Sequence, residues 1–457
     1  MHVKALLALL VATPALSVPV LAQSADPGEG VSQERLREDV QTMVGFGTRH
    51  TLSAADDPVR GIGAARRWGE GEFRAVSEAC GGCLEIVTPS RMETSRRILE
   101  PALIENVVAI QRGSLRPDEV VIVQGHIDSR VSDVMDATSD APGANDNASG
   151  SALVLEAARV LSQRQYPTTI IYALLSGEEQ GLLGGALLAD YALEQGWTVK
   201  AVLNNDVVGG SCGSDGTCDD RHVRVFSEGI RADADEATRA RMRSMGGAND
   251  SPSRNLSRWL AGVASGAADG LIVRQTWRSD RMGRGGDHLP FLVRGLPAIR
   301  FSVAIEDYEH QHQDLRIEDG VTYGDTVEEM DFAYLAKVTQ LNIRALDLLA
   351  RAPMPPRVKA DGVVRPDIAL TIEPVAGADH YHVYRRATDE PEWELRTTVS
   401  RTDMPVGEED GPIDVTLYPE RGDDWIIGVA SVSADDVESP IASAVPGGDF
   451  YPFDKSE

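Results

Sequence analysis

Five short stretches of the chain hold side chains able to do chemistry. Gly125-His126-Ile127-Asp128-Ser129 places an imidazole, a good neutral metal donor, two residues before a carboxylate that can accept its second N–H and fix the tautomer. Gly143-Ala144-Asn145-Asp146-Asn147-Ala148-Ser149-Gly150 is a loop of small, polar residues that enters a helix and presents one carboxylate. Ser176-Gly177-Glu178-Glu179-Gln180 sets two carboxylates side by side, and these repel unless something positive lies beside them. A metal ion would resolve that conflict. Asn204-Asn205-Asp206 closes an apolar run with an acid, which is costly unless the acid is paired. Tyr308-Glu309-His310-Gln311-His312-Gln313-Asp314 offers two imidazoles two positions apart. Both reach one ion only from strand-like or irregular backbone, so one of them is expected to ligate.

Each stretch has a structural alternative when taken alone. His126 could be a satisfied structural histidine, Asp146 an N-cap, and Asp206 a solvated strand terminus. Together they supply imidazoles and several carboxylates, a mixed nitrogen and oxygen set that suits zinc and is large enough for two ions.

Convergence requires elements that end at one edge. Continuous apolar runs predict strands at Asn106 to Ile110, Val120 to Gln124, Thr168 to Leu175, Ala201 to Asn205, Leu271 to Gln275 and Ala298 to Phe301. Helical spacing falls between them, as in Leu153, Ala157, Val160, Leu161 and in Leu183, Leu187, Leu188, Tyr191, with further helices at Val31 to Val44, Ala64 to Glu78 and around Val338 to Leu349. The expectation is an α/β fold, a mostly parallel mixed sheet sandwiched by helices, with chemistry at the carboxyl ends of the strands. Gly209 to Asp250, rich in Gly, Asp and Ser, reads as an excursion from that sheet.

Pro353, Pro355 and Pro356 then mark a stiff linker. Beyond it, alternating segments at Ala369 to Glu373, Tyr381 to Arg386, Trp393 to Val399, Asp414 to Tyr418 and Trp425 to Ser433 predict a small antiparallel sandwich. The expected organisation is a signal peptide over 1–22, an α/β domain over 23–351, a linker over 352–360, a β-sandwich over 361–447 and a tail over 448–457.

The order GHIDS, GANDNASG, SGEEQGLLGG, NND, GGDHLPF and HQHQD resembles the co-catalytic zinc aminopeptidases, family 28 of the metallopeptidases, over Val31 to Arg351. That resemblance implies a zinc exopeptidase fold and two Zn2+ held by His126, Asp146, Glu179, Asp206 and His310, with Asp146 bridging. It implies Glu178 as the base and Asp128 as the group behind His126. His310 is preferred over His312 because relatives place the histidine four residues before an aspartate, here Asp314. Relatives usually have serine at the position of Gly286, and some have a nearby tyrosine that polarises the substrate carbonyl. No tyrosine stands there in this chain, and Arg281 or Arg284 could supply that charge, unless they are ordinary surface arginines. The tail segment Tyr381-His382-Val383-Tyr384-Arg385-Arg386 with Trp425 resembles a fibronectin type III module, for which binding to a surface or protein partner and a spacer role both stay open.

Composition limits the remaining choices. With 44 basic against 71 acidic residues the net charge is -27, which disfavours nucleic acid and anionic membranes as partners. Lys4 followed by the apolar run Ala5 to Leu21 reads as a secretory signal, with no membrane span expected in the mature chain and a periplasmic or extracellular location. Export makes local disulfides the natural reading of Cys80 with Cys83 and Cys212 with Cys218, against a redox pair or half a structural zinc site. Asp215, Asp219 and Asp220 read as a solvated acidic loop rather than a calcium site. The expected function is N-terminal hydrolysis of peptides. Glutaminyl cyclase-like or carboxypeptidase activity on the same fold, and a non-catalytic binding protein, are the alternatives.

Overall fold

A computed structural model of the protein describes residues 26–268, 270–400 and 411–453, so the expected signal peptide and the end of the tail lie outside the described residues. Helices α1 (Gln33–Gly45) and α2 (Gly61–Ala79) lead into β1 (Glu85–Val87), β2 (Ser90–Ser95), β3 (Ile98–Glu105), β4 (Val107–Gln111) and β5 (Arg116–His126). Then follow α3 (Ser149–Leu161), β6 (Thr168–Leu175), α4 (Leu183–Glu194), β7 (Thr198–Asn205), β8 (His222–Phe226), α5 (Glu236–Ser244), α6 (Pro252–Ser265), β9 (Ile272–Thr276), α7 (Leu289–Leu292), β10 (Ala298–Val303), β11 (Arg316–Glu318), β12 (Val321–Tyr323) and α8 (Phe332–Arg351).

Eight of these strands form one mixed sheet in the order β1-β4-β6-β5-β7-β10-β8-β9. The central neighbours β6, β5, β7 and β10 run parallel, while β1, β4 and β8 pair antiparallel with their inner neighbours. The continuous apolar runs are explained by burial on both faces. Along β5, Val121 and Val123 pack against α1, α2, α3 and α8 on one side, and Val120 and Ile122 pack with α4 and α7 on the other. An α/β architecture of a mixed sheet between helix layers is therefore present. In-register pairing of Gln124 with Asn204 and of His126 with Leu175 brings the carboxyl ends of β5, β6 and β7 to one level.

One expectation is overturned within Gly209 to Asp250. This stretch is not wholly an excursion, because β8 enters the main sheet between β10 and β9. Its buried Val223, Val225 and Phe226 alternate with polar residues inside a long polar surround, which masked the strand. The hairpin β2–β3 was also unmarked in the sequence, since most of its residues are exposed.

The C-terminal region is a sandwich of β13 (Val358–Asp361), β14 (Ile368–Ile372), β15 (His380–Ala387), β16 (Glu394–Ser400), β17 (Ile413–Leu417), β18 (Trp425–Val432) and β19 (Ala442–Ser443). A three-stranded sheet β13-β14-β17 faces a four-stranded sheet β16-β15-β18-β19, all antiparallel, around Leu370, Tyr381, Val383 and Val429. The stretch expected as linker is packed: Ala352 and Met354 are buried, Lys200 Nζ donates to the carbonyls of Leu349 and Ala352 at 3.0 and 2.6 Å, and β13 starts at Val358. The expected tail likewise docks, with Phe450 buried in the sandwich core and Arg231 donating to the carbonyls of Asp449 and Tyr451. Arg386 on β15 forms a buried pair with Asp250 at 2.7 Å, beside the N-terminus of α6.

Both disulfides, Cys80–Cys83 and Cys212–Cys218, are formed, which rules out the free thiols that a structural zinc site would need. No helix among the described residues is long and apolar enough to cross a membrane.

Candidate metal centre

Four of the five expected ligands meet at the carboxyl edge of the parallel strands. His126 ends β5 and Asp206 follows β7 directly. The loop carrying Asp146 leads into α3, and Glu178 and Glu179 follow β6. His126 Nε2 lies 3.1 Å from Asp146 Oδ1 and 3.8 Å from Asp206 Oδ1. On the other side of Asp146, its Oδ2 lies 2.9 Å from His312 Nε2, which is also 2.9 Å from Glu179 Oε1. Two three-residue groups thus share Asp146: His126, Asp146 and Asp206, then Asp146, Glu179 and His312.

The last histidine is a correction. His310 turns away, its Nδ1 2.7 Å from Asp307 and its Nε2 3.6 Å from Glu329, while His312 occupies the expected place. The backbone at His312 is left-handed, with φ 57°, so the segment is irregular and the two rings diverge. The spacing to Asp314 misleads because that carboxylate accepts from the Ser132 backbone N–H and hydroxyl instead.

Small residues around Asp146 have a packing cause. A Cβ on Gly150 would stand 2.2 Å from the Asn205 carbonyl, and one on Gly125 would stand 2.7 Å from the backbone of Gly150. The loop therefore lies against the strand ends. Asn147 pins it there, donating to the Asn205 carbonyl at 2.9 Å and accepting from Gly150 N–H at 3.0 Å. Asp325 accepts from the N–H groups of Asn145 and Asp146, both at 2.7 Å, and fixes the approach of the Asp146 carboxylate. Arg49, fully buried, donates to the carbonyls of Ile127, Met43, Pro142 and Gly143 behind the same loop. Neither residue stood out in the sequence, because each acts through backbone groups far away along the chain.

Asp128 supports the site differently from the expectation. His126 Nδ1 is met by the backbone carbonyl of Asp128 at 3.0 Å, and the carboxylate stands 3.6 Å away. The carboxylate instead accepts from the N–H of Glu178 at 3.3 Å, the N–H of Glu179 at 3.1 Å and Thr51 Oγ1 at 3.0 Å. It thereby sets the paired glutamates. Asp128→Ala is expected to lower kcat/KM and metal affinity by roughly 10- to 100-fold, checked by steady-state kinetics with metal titration; unchanged values would remove this supporting role.

The electrostatics fit bound cations. Burial opposes ionisation of Asp146, yet His312 and His126 outweigh it and hold the carboxyl well below its usual range. Burial also opposes ionisation of Asp206, where Arg300 and His126 prevail; Arg300 Nη2 stands 2.8 Å from its Oδ1. Burial pushes Glu178 well up, and although His126 opposes this, Glu179, Asp206 and Asp287 add to it. Asp287 is raised to about 7, first by burial and then by neighbouring carboxylates. His126 Nε2 is buried with no hydrogen-bond partner, an orphan aimed at two carboxylates. Such crowding of acids around an unsatisfied imidazole suits divalent cations. The neighbouring His288 is not part of the group; its Nε2 meets the Ser279 carbonyl at 2.6 Å.

Arg281 is no surface arginine. Its side chain is buried against Asp280 and Glu306, and Arg284 pairs with the same Glu306 at 2.5 Å. Both line the cavity beside Asp206.

Comparison with known proteins bears on the family. A family model described as Peptidase family M28 matches residues 106–319. A protein of Leptosphaeria maculans described as a probable zinc metalloprotease is 41% identical over 424 residues, 92% of this chain and 96% of its own length. One of Pyricularia oryzae with the same description is 41% identical over 428 residues, covering 91% of this chain and 83% of its own. Among solved structures, LapB from Legionella pneumophila matches with a TM-score of 0.51 at 18% identity, over 71% of this chain and 74% of that one. The LapA aminopeptidase of the same organism matches with a TM-score of 0.50 at 17% identity, over 71% and 73%. These two likenesses concern the fold, whereas the long matches at 41% identity and the family model make the chain a member of peptidase family M28, a zinc metallopeptidase.

Proposed function

We propose that the protein is an exported aminopeptidase that uses two zinc ions to hydrolyse the N-terminal peptide bond of its substrates. The single observation that carries this reading is Asp146 shared between two groups of nitrogen and oxygen donors, with Glu178 beside them. His126 and Asp206 complete one position and Glu179 and His312 the other. When bound, the ions supply Lewis-acid polarisation of the scissile carbonyl and lower the pKa of water. Glu178 is left out of both donor groups and can take a proton from the attacking water and return it to the leaving amine. Asp128, through the N–H groups of Glu178 and Glu179, keeps the base and the ligand at fixed separation. Arg281 lines the cavity beside Asp206 and supplies positive charge toward the substrate carbonyl.

Export is supported by the leading apolar segment and by the two disulfides. The three-on-four antiparallel strand order supports a fibronectin type III-like module, which we assign as a stabilising spacer on the enzyme. Peptides are the proposed substrates.

The test is metal removal. Dialysis against a chelator is expected to abolish release of aminoacyl reporter groups, and added zinc to restore it at about two ions per chain. Activity that survives complete removal of metal, or product arising only from C-terminal cleavage of N-terminally blocked peptides, would overturn the proposal.

A further inference from the structure

The cavity over the proposed centre encloses about 500 Å3 and carries five arginines, Arg96, Arg97, Arg130, Arg281 and Arg284, with Leu182 as its one large apolar side chain. That concentration of cations is unexpected in a chain of net charge -27. The acids lining the same space are Asp146, Glu178, Glu179 and Asp206. Three of them are ligands in the proposal above, on which this inference rests, so their charge faces the metal positions.

Arg130 is taken up by Glu179 at 2.8 Å, and the other four arginines outnumber the acids left for them. Arg96, exposed at the turn between β2 and β3, meets no acidic group among the described residues. Arg97 Nη1 donates to the backbone carbonyl of Glu179 at 2.6 Å, a neutral acceptor that orients the guanidinium without cancelling its charge. Ser95 Oγ donates to the Gln180 carbonyl at 3.2 Å, so the hairpin turn is fastened to the rim. On the opposite wall, Glu306 serves Arg224, Arg281 and Arg284, with Asp280 a second acid for Arg281 at 3.2 Å, three guanidiniums to two carboxylates. A pocket for an apolar side chain would be lined by apolar groups. This one is walled by planar donor forks, whose best partner is a carboxylate taken in bidentate fashion.

We infer that the arginines of the hairpin turn and of the Arg281–Arg284 loop form a receptor for a carboxylate of the substrate, so that the enzyme selects acidic or very short peptides. The carboxylate comes either from an acidic side chain next to the scissile bond or from the free C-terminus of a dipeptide. Both sources offer the same chemistry at different distances from the bond.

Matched substrates separate them. On the zinc-loaded full-length enzyme, kcat/KM is measured for Glu-Ala-amide against Gln-Ala-amide, and for Ala-Ala against Ala-Ala-amide. At least one charged substrate is expected to exceed its neutral partner by about tenfold. The pair that does so identifies the source. Arg96→Gln and Arg284→Gln are each expected to lower that ratio several-fold, whereas Arg243→Gln on α5, remote from the cavity, leaves it as in the wild type. Ratios at or below one in both pairs overturn the inference while leaving the aminopeptidase reading intact, because neutral substrates are still cleaved. Should none of the four be turned over, calorimetric binding of the same four to zinc-loaded Glu178→Gln reads the ratio directly, and equal affinities overturn it. Loss of metal dependence, by contrast, strikes the underlying reading and not the selectivity.

Discussion

Glu178→Gln is expected to lower kcat by roughly 100- to 10,000-fold, the range for loss of a general acid–base group, while zinc content per chain stays at the wild-type level. Glutamine keeps the shape and one acceptor oxygen, so packing around the side chain survives, but it cannot hold a proton in transit. The position suits the role because Glu178 is half-buried, its backbone N–H is fixed by Asp128, and it stands outside both donor groups around Asp146. Metal analysis alongside single-turnover kinetics checks the prediction. If zinc leaves together with activity, Glu178 is a ligand rather than the base.

His312→Ala is expected to cost more metal affinity than the roughly 10- to 100-fold typical of a supporting residue, and His310→Ala to cost little. The contrast follows from geometry: His312 Nε2 stands 2.9 Å from both Asp146 and Glu179, whereas His310 is turned to Asp307 and Glu329. Competitive zinc titration of the two variants decides the matter; equal losses, or a greater loss from His310→Ala, would return the ligand role to His310.

Residues at the carboxyl ends of buried strands were legible in the sequence because the strands themselves are. A run such as Thr-Thr-Ile-Ile-Tyr-Ala-Leu-Leu has to be covered on both sides, and the polar group that follows it must then emerge at the sheet edge. His126, Glu178, Glu179 and Asp206 were found in this way, and Asp146 through the small residues that let its loop touch them. His312 ranked behind His310 in the sequence, since no strand dictates which way an irregular segment faces. Arg300 escaped notice because a single cation inside an apolar strand looks like noise until Asp206 and Asp280 are seen beside it. Arg96 and Arg97 sit on a mostly exposed hairpin whose position over the centre depends on contacts between side chain and backbone, to which periodicity is blind.

Packing of the proline segment and of the last residues against both lobes has a practical bearing on how the protein can be dissected. A cut at Arg351 would strip Lys200 of the Ala352 carbonyl and Arg231 of two acceptors, and would leave Asp250 with Arg258 at 3.6 Å in place of the closer Arg386. The shortest fragment that keeps a sound catalytic half is therefore longer than its sheet and helices suggest, and trimming for crystallisation or display should spare the chain through Phe453.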